Sequence, residues 1–205
     1  MRSRLTAVIL GSALLAVVPA AAQEAPLEKG FKHAARLNLG ISFYDSGFFN
    51  CAYWGPFYSN YSCGTGQYVS YIPFTAGGQL DLNLGGPHNI SVGFNALIGK
   101  ATATLYFPSF AQSVSKTVTL WQPTLDYVIK YGPPSQVTVG RFRVGPGLYF
   151  GPESGFGGTL RLGGGASFFN NHRIGFGFDL VAEGGVYRGE YFAGVQLLVS
   201  PELHF

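Results

Sequence analysis

The sequence predicts an all-β chain that folds as an eight-stranded, antiparallel, up-and-down transmembrane β-barrel. Three observations support this fold class. Apolar and small polar residues alternate with period two in eight segments, and short connections alternate with mostly longer ones. Only 11% of the 205 residues are charged, although 47% are hydrophobic. Because an ordinary soluble domain carries about 25% charged residues, these strands lack the charge that would normally meet water.

The first 22 residues have the composition of a secretory signal peptide. Arg2 and Arg4 precede the apolar stretch 5–18, and small residues lead up to Ala22. This pattern predicts cleavage after Ala22, since the apolar stretch is shorter than the roughly 20 residues of a transmembrane helix. We therefore expect a signal peptide over 1–22, a short polar extension over 23–33 and the barrel over 34–205.

The first four predicted strands cover 34–43, 72–84, 89–101 and 117–131. Each carries large apolar residues at every second position, with small, amide or charged residues between them. The apolar rows are Leu37, Leu39, Ile41 and Phe43; Leu80, Leu82 and Leu84; Ile90, Val92, Phe94, Ala96 and Ile98; and Leu125, Tyr127, Ile129 and Tyr131.

The last four predicted strands cover 136–150, 157–169, 173–187 and 191–205. They continue the same alternation to the end of the chain. Their apolar rows are Phe142, Val144, Leu148 and Phe150; Leu160, Leu162, Ala166 and Phe168; Ile174, Phe176, Phe178, Leu180 and Ala182; and Val195, Leu197, Val199, Leu203 and Phe205.

The connections differ in length at the two ends of the strands. Tight turns of glycine, proline and asparagine occupy 85–88, 132–135 and 170–172. The first connection, 44–71, is long, and those near 102–116 and 151–156 are intermediate. Short turns at one end and mostly longer loops at the other, on an even number of strands, are typical of outer-membrane barrels.

Nine charged residues fall on the polar rows of these strands. A barrel of eight strands is just wide enough for side chains to fill it, and an unpaired buried charge costs several kcal/mol. We therefore predict that the nine form a paired network in the lumen, with a gated narrow polar channel as the alternative. The residues are Arg36, Asp81, Asp126, Lys130, Arg141, Arg143, Arg161, Asp179 and Glu183.

Two features concern the loops and strand borders. Cys51 and Cys63 are the only cysteines, and export to an oxidising compartment predicts a disulfide between them. Aromatic residues near predicted strand ends are interpreted as interfacial girdles, with sugar-stacking surfaces as the alternative. These aromatic residues are Tyr44, Tyr71, Tyr106, Phe107, Trp121, Tyr131, Phe168, Tyr187 and Tyr191.

The last strand carries a family resemblance. Leu197, Val199, Leu203 and Phe205 share one parity and end on a terminal aromatic residue, which resembles the C-terminal assembly signal of bacterial outer-membrane proteins. Pro201 departs from that pattern because it lacks a backbone donor. With its leader, strands and turns, the chain resembles small eight-stranded barrels of the OmpA/OmpX type.

The resemblance implies a location and partners. It implies an integral protein of the bacterial outer membrane, surrounded by lipid and lipopolysaccharide and assembled by the outer-membrane insertion machinery. Both termini would be periplasmic. The cysteine loop, 44–71, would be extracellular, where we expect any external protein partner to bind. Nucleic acid is not expected as a partner, because the formal net charge is only +3 and no basic cluster occurs.

The function expected is structural or surface-interacting rather than enzymatic, without a cofactor or metal. A lipid A-modifying barrel enzyme is an alternative, but it needs a nucleophile beside an oriented base. The four histidines, His33, His88, His172 and His204, all fall at the expected periplasmic rim. A secreted lipocalin-like binder is another alternative, which requires the apolar rows to face inward.

Overall fold

The computed structural model describes residues 33–44, 68–106, 111–132, 138–151, 155–169 and 174–205. No helix in these ranges is long and apolar enough to span a membrane. The ranges form nine strand segments. They are β1 His33–Tyr44, β2 Tyr68–Tyr71, β3 Phe74–Gly85, β4 His88–Tyr106, β5 Ala111–Tyr131, β6 Thr138–Phe150, β7 Phe156–Phe169, β8 Ile174–Tyr187 and β9 Glu190–His204.

The segments form one closed antiparallel sheet. Each strand from β3 to β8 pairs with the next, and β1 pairs with both β3 and β9. β2 and β3 lie along the same neighbours, β1 and β4, and are separated only at Ile72 and Pro73. Because they continue one another, the barrel has eight spanning strands, and the predicted fold class is confirmed.

The connections define two ends of the barrel. Gly85 and Gly86, at φ 119° and 57°, turn the chain between β3 and β4, with a positive φ that glycine adopts without strain. That end also carries the chain segments at His33 and Phe205, and we call it the turn end. Arg188 and Gly189 make the β8–β9 turn at the opposite end, which we call the loop end.

β4 and β5 reach further than the sequence predicted. They pair without interruption as far as Tyr106 and Ala111, whereas β5 pairs with β6 only from Trp121 onward. The β4–β5 hairpin therefore extends past the rest of the barrel at the loop end. Its sequence alternates alanine, serine and threonine rather than large apolar residues, so it lacked the pattern that predicted the other strands.

The outward-facing side chains form a continuous apolar band. Along β4, this band runs from Ile90 to Ile98 and is bracketed by the exposed His88 and Lys100. At about 3.3 Å per residue and a tilt of about 40°, its height is roughly 20–30 Å. This matches the hydrocarbon thickness that an outer-membrane barrel must cover.

The direction of the two faces excludes the lipocalin-like alternative. Phe94 and Phe178 are 51% and 46% exposed, whereas Arg141 and Asp179 are 1% and 0% exposed. The apolar rows thus face outward and the charged rows face inward.

Replacing Val92 by arginine should lower the free energy of unfolding by about 2–4 kcal/mol, because the charge would face the middle of the hydrocarbon. Tyr191→Arg, at an 82% exposed outward position beside the loop-end turn, is the matched control and should cost at most about 1 kcal/mol. Urea titration of both variants in lipid vesicles measures the difference. Equal losses at the two sites would contradict a lipid-facing band.

Candidate functional site

Ten charged residues of the described strands lie in the interior of the barrel, five of each sign. None is more than 8% exposed. Nine of them are the residues selected from the sequence, and the tenth is Glu202, which has the same inward parity as Gln196 on the last strand but was not included in the predicted network. With Glu202 included, the acidic and basic side chains balance.

A first cluster lies toward the turn end and centres on Arg141 of β6. Its guanidinium donates to both Asp179 oxygens at 2.6 Å and to Glu202 Oε1 at 2.7 Å. Arg36 of β1 donates to Asp81 and lies 3.4 Å from Glu202 Oε1. Glu202 therefore links β1 to β6, which lie on opposite walls of the barrel.

Lys130 and Arg143 extend this cluster across the lumen. Lys130 Nζ lies 3.4 Å from Asp81 Oδ2. Arg143 donates to Asp179 Oδ2 and to Gln79 Oε1, each at 3.0 Å. Because each acidic group contacts more than one cation, the ion pairs form a network rather than separate pairs.

The remaining charges lie nearer the loop end. Arg161 Nη1 donates to Asp126 Oδ2 at 2.8 Å. Glu183 accepts from Tyr44 Oη at 2.5 Å, Gln122 Nε2 at 2.7 Å and Gln196 Nε2 at 2.9 Å, while Arg161 Nε lies 3.9 Å away. Glu183 is thus held mainly by neutral donors, which satisfy its lone pairs within the barrel.

An aromatic core fills the lumen at the loop end. It comprises Tyr44, Tyr71, Leu97, Ala101, Val118, Leu120, Tyr149, Tyr187 and Phe192. The ring of Tyr149 makes edge contacts with Tyr44, Tyr187 and Phe192, at centroid distances of 5.5 to 6.5 Å. The ionic network and this core together occupy the interior.

The girdle interpretation is wrong for three residues. Tyr44, Tyr71 and Tyr187 point into the lumen and are at most 7% exposed, because they share the parity of the polar rows. Trp121, Tyr131, Phe168 and Tyr191 do face outward. Phe107 and the side chain of Tyr106 lie outside the described part of the structure.

Inward glycines make room for the charged side chains. A Cβ on Gly177 would overlap both Glu202 Oε1 and Arg141 Nη2, and a Cβ on Gly165 would overlap Asp179 Oδ1. Both glycines lie against charged side chains in a narrow lumen, so the space left by their missing side chains permits the ion pairs to form.

The histidines that the structure describes lie at the turn end. His88, outside the barrel, contacts Tyr127 Oη at 2.5 Å through Nδ1, and His204, inside it, contacts Glu202 Oε2 at 3.2 Å through Nε2. His33 forms reciprocal backbone hydrogen bonds with Phe205, at 2.9 and 3.0 Å. His172 lies outside the described residues, and no group of three potential metal ligands occurs within them.

Two other groups of residues were selected from the sequence. Cys51 and Cys63 lie outside the described residues. Leu197, Leu203 and Phe205 are outward-facing and exposed, and Val199 on the same row is half-buried. This row lies on β9, the strand that closes the barrel against β1.

Comparison with solved structures finds the same fold in small outer-membrane barrels. Neisserial surface protein A matches with a TM-score of 0.60 and 10% identity, over 87% of this chain and 100% of that one. The outer membrane protein OprG from Pseudomonas aeruginosa matches with a TM-score of 0.52 and 8% identity, over 86% of this chain and 98% of that one. No protein-family model and no curated protein sequence matches the chain.

The fold and the outward-facing surface indicate the same class of protein. The chain has the fold of the small eight-stranded outer-membrane β-barrels, and its outward apolar band has the composition of a surface that contacts lipid.

Glu202→Ala should lower the free energy of unfolding by about 3–5 kcal/mol, because it leaves the interior with one uncompensated positive charge beside Arg36 and Arg141, which keep only Asp81 and Asp179 as acidic partners. Lys100→Ala, which removes an exposed cation outside the network, should change it by no more than about 0.5 kcal/mol. Unfolding by urea in vesicles, read by tryptophan fluorescence, compares the two. A Glu202→Ala variant as stable as Lys100→Ala would show that Glu202 is not part of the network.

Proposed function

We propose that this outer-membrane barrel is a closed, non-enzymatic scaffold that presents its loop end to the cell exterior. The observation that carries the proposal is the occupied interior. Ten paired charges fill one part of the lumen, and the aromatic core fills the part nearer the loop end. Such an interior supports a plugged barrel over the gated channel, since conduction requires a continuous polar path.

The loop end has the properties of an exposed contact surface. The β4–β5 hairpin projects beyond the apolar band, and Ser115, Lys116 and Thr117 on it are exposed. Polar side chains above the band belong in water rather than in lipid. By the orientation that the family resemblance implies, this water is outside the cell, and an external protein partner would bind here and at 44–71.

The surroundings of the described histidines favour structural roles over catalysis. His88 stacks on Tyr127 with ring centroids 5.9 Å apart. His204 lies beside Glu202, whose carboxylate also pairs with two arginines. A phenol and an ion-paired carboxylate are weak candidates for the activated nucleophile that a lipid-modifying enzyme needs. We therefore propose no reaction, cofactor or metal for this barrel.

The remaining partners follow from the location. We propose that lipopolysaccharide surrounds the loop end, and that the outward row Leu197, Val199, Leu203 and Phe205 on β9 is the segment that the insertion machinery recognises.

Refolded protein in planar bilayers should show no stable conductance of porin size, because paired charges and the aromatic core occupy the lumen. Insertion is verified in the same preparation by a heat-dependent shift in gel mobility, and a general porin serves as the positive control. A steady open pore from the folded barrel would contradict the proposal.

A further inference from the structure

Pro201 leaves a gap in the seam that closes the barrel. β1 and β9 pair on both sides of this position, but Leu37 and Asn38 have no partners opposite Pro201 and Ser200. The reciprocal bonds between His33 and Phe205 place every second residue of β1 at a hydrogen-bonded site. Leu37 is therefore at such a site, and Pro201 opposite it has no N–H to donate.

Pro123 and Pro146 leave a similar gap between β5 and β6. Trp121 pairs with Phe150, Thr124 with Gly147, and the register resumes at Tyr127 and Val144. The missing pairs are those of Gln122, Pro123, Leu125 and Asp126 with Tyr149, Leu148, Pro146 and Gly145. Two missing donors in one seam account for all four gaps, because each proline disrupts its own pair and the adjacent one.

The two gaps divide the barrel symmetrically. Three prolines lie within the described strands, at Pro123, Pro146 and Pro201. At each of them, the backbone hydrogen bond that the absent N–H would have donated belongs to one of these two seams. The seams lie four spanning strands apart, with β1 to β5 on one side and β6 to β9 on the other. Within the half from β6 to β9 the ladders are continuous, as between β7 and β8. In the other half they are continuous from Leu82 to the pairs of Phe74 with Ile41 and Ile98, and are interrupted only beside Ile72 and Pro73, at the loop-end border of the apolar band.

Interior side chains bond at the same positions where backbone pairing fails. Ser200 Oγ donates to Asn38 Oδ1 at 3.0 Å in the closing seam. Gln122 Nε2 donates to Tyr149 Oη at 2.5 Å in the β5–β6 seam. Asp126, also at a gap, accepts from Arg161 of the opposite half. These contacts replace lost ladder bonds with side-chain bonds that reach across each seam.

Each half is also electrically neutral inside. Arg36 and Lys130 balance Asp81 and Asp126 in the half from β1 to β5. The half from β6 to β9 carries three arginines and three acids, namely Arg141, Arg143, Arg161, Asp179, Glu183 and Glu202. Neither half therefore holds a net buried charge when the ion pairs between the halves break, such as Arg36–Glu202 and Arg161–Asp126.

We propose that the barrel contains a built-in conformational device: two rigid four-stranded halves part locally at the proline seams, and the interior side chains latch them closed. This inference does not depend on the proposed scaffold function. It follows because opening free energy is lowest where backbone hydrogen bonds are fewest. The latch contacts are Asn38–Ser200, Gln122–Tyr149 and Asp126–Arg161.

Hydrogen exchange of the full mature chain in lipid nanodiscs tests the device. The amides of Leu125 and Leu148, which face the β5–β6 seam, should exchange at least about tenfold faster than those of 159–163 and 181–185, which lie in the continuous β7–β8 ladder. Gln122→Leu, which removes a latch bond, should accelerate the β5–β6 seam further. Ser42→Ala, which removes the interior bond to Thr75 within one half, is the matched control and should leave both seams unchanged.

Pro146→Val supplies the missing donor and should slow exchange in the β5–β6 seam without affecting the β1–β9 seam. If Gln122→Leu does not fold, Pro146→Val and the comparison of seam and ladder amides in the wild-type protein still test the proposal. Equal exchange in the seams and in the β7–β8 ladder would overturn the proposal. So would a uniform acceleration by Gln122→Leu and Ser42→Ala, or no slowing in Pro146→Val.

Discussion

The absence of water around a membrane-spanning sheet is the constraint on which the rest of this structure depends. Every backbone polar group in lipid must find its partner within the protein, which requires a closed barrel. Charged side chains must then turn inward and neutralise one another, since lipid exposure of each would cost several kcal/mol. The balance of five cations and five anions inside the barrel meets this requirement.

The interior meets the requirement in two different ways along its length. Near the turn end, arginines share carboxylates in an ionic network. Near the loop end, tyrosines and Phe192 pack as an ordinary aromatic core. Glu183 lies where the two meet and is bound mostly by Tyr44 and two glutamines. In the closed barrel that we propose, side chains of the strands themselves would fill the lumen.

Parity along the strands predicted most of this arrangement, because each inward or outward direction depends only on period two. Where parity was not applied, the prediction failed: Tyr44 and Tyr187 were assigned to a girdle although they share parity with inward residues. Glu202 shared the inward parity of Gln196 but was left out. The partners of each charge, and the coincidence of Pro123 with Pro146 in one seam, depend on strand register. A single sequence does not specify register, which turn geometry and packing determine.

The central claim is the direction of the two faces, and tryptophan depth quenching measures it most directly. In a background with Trp54 and Trp121 replaced by phenylalanine, a single tryptophan is introduced at Phe178 or at Tyr187, and lipids brominated on their acyl chains are added. We expect strong quenching for Phe178→Trp and little for Tyr187→Trp, since only the first side chain faces lipid. Quenching of the Tyr187 variant with protection of the Phe178 variant would contradict it.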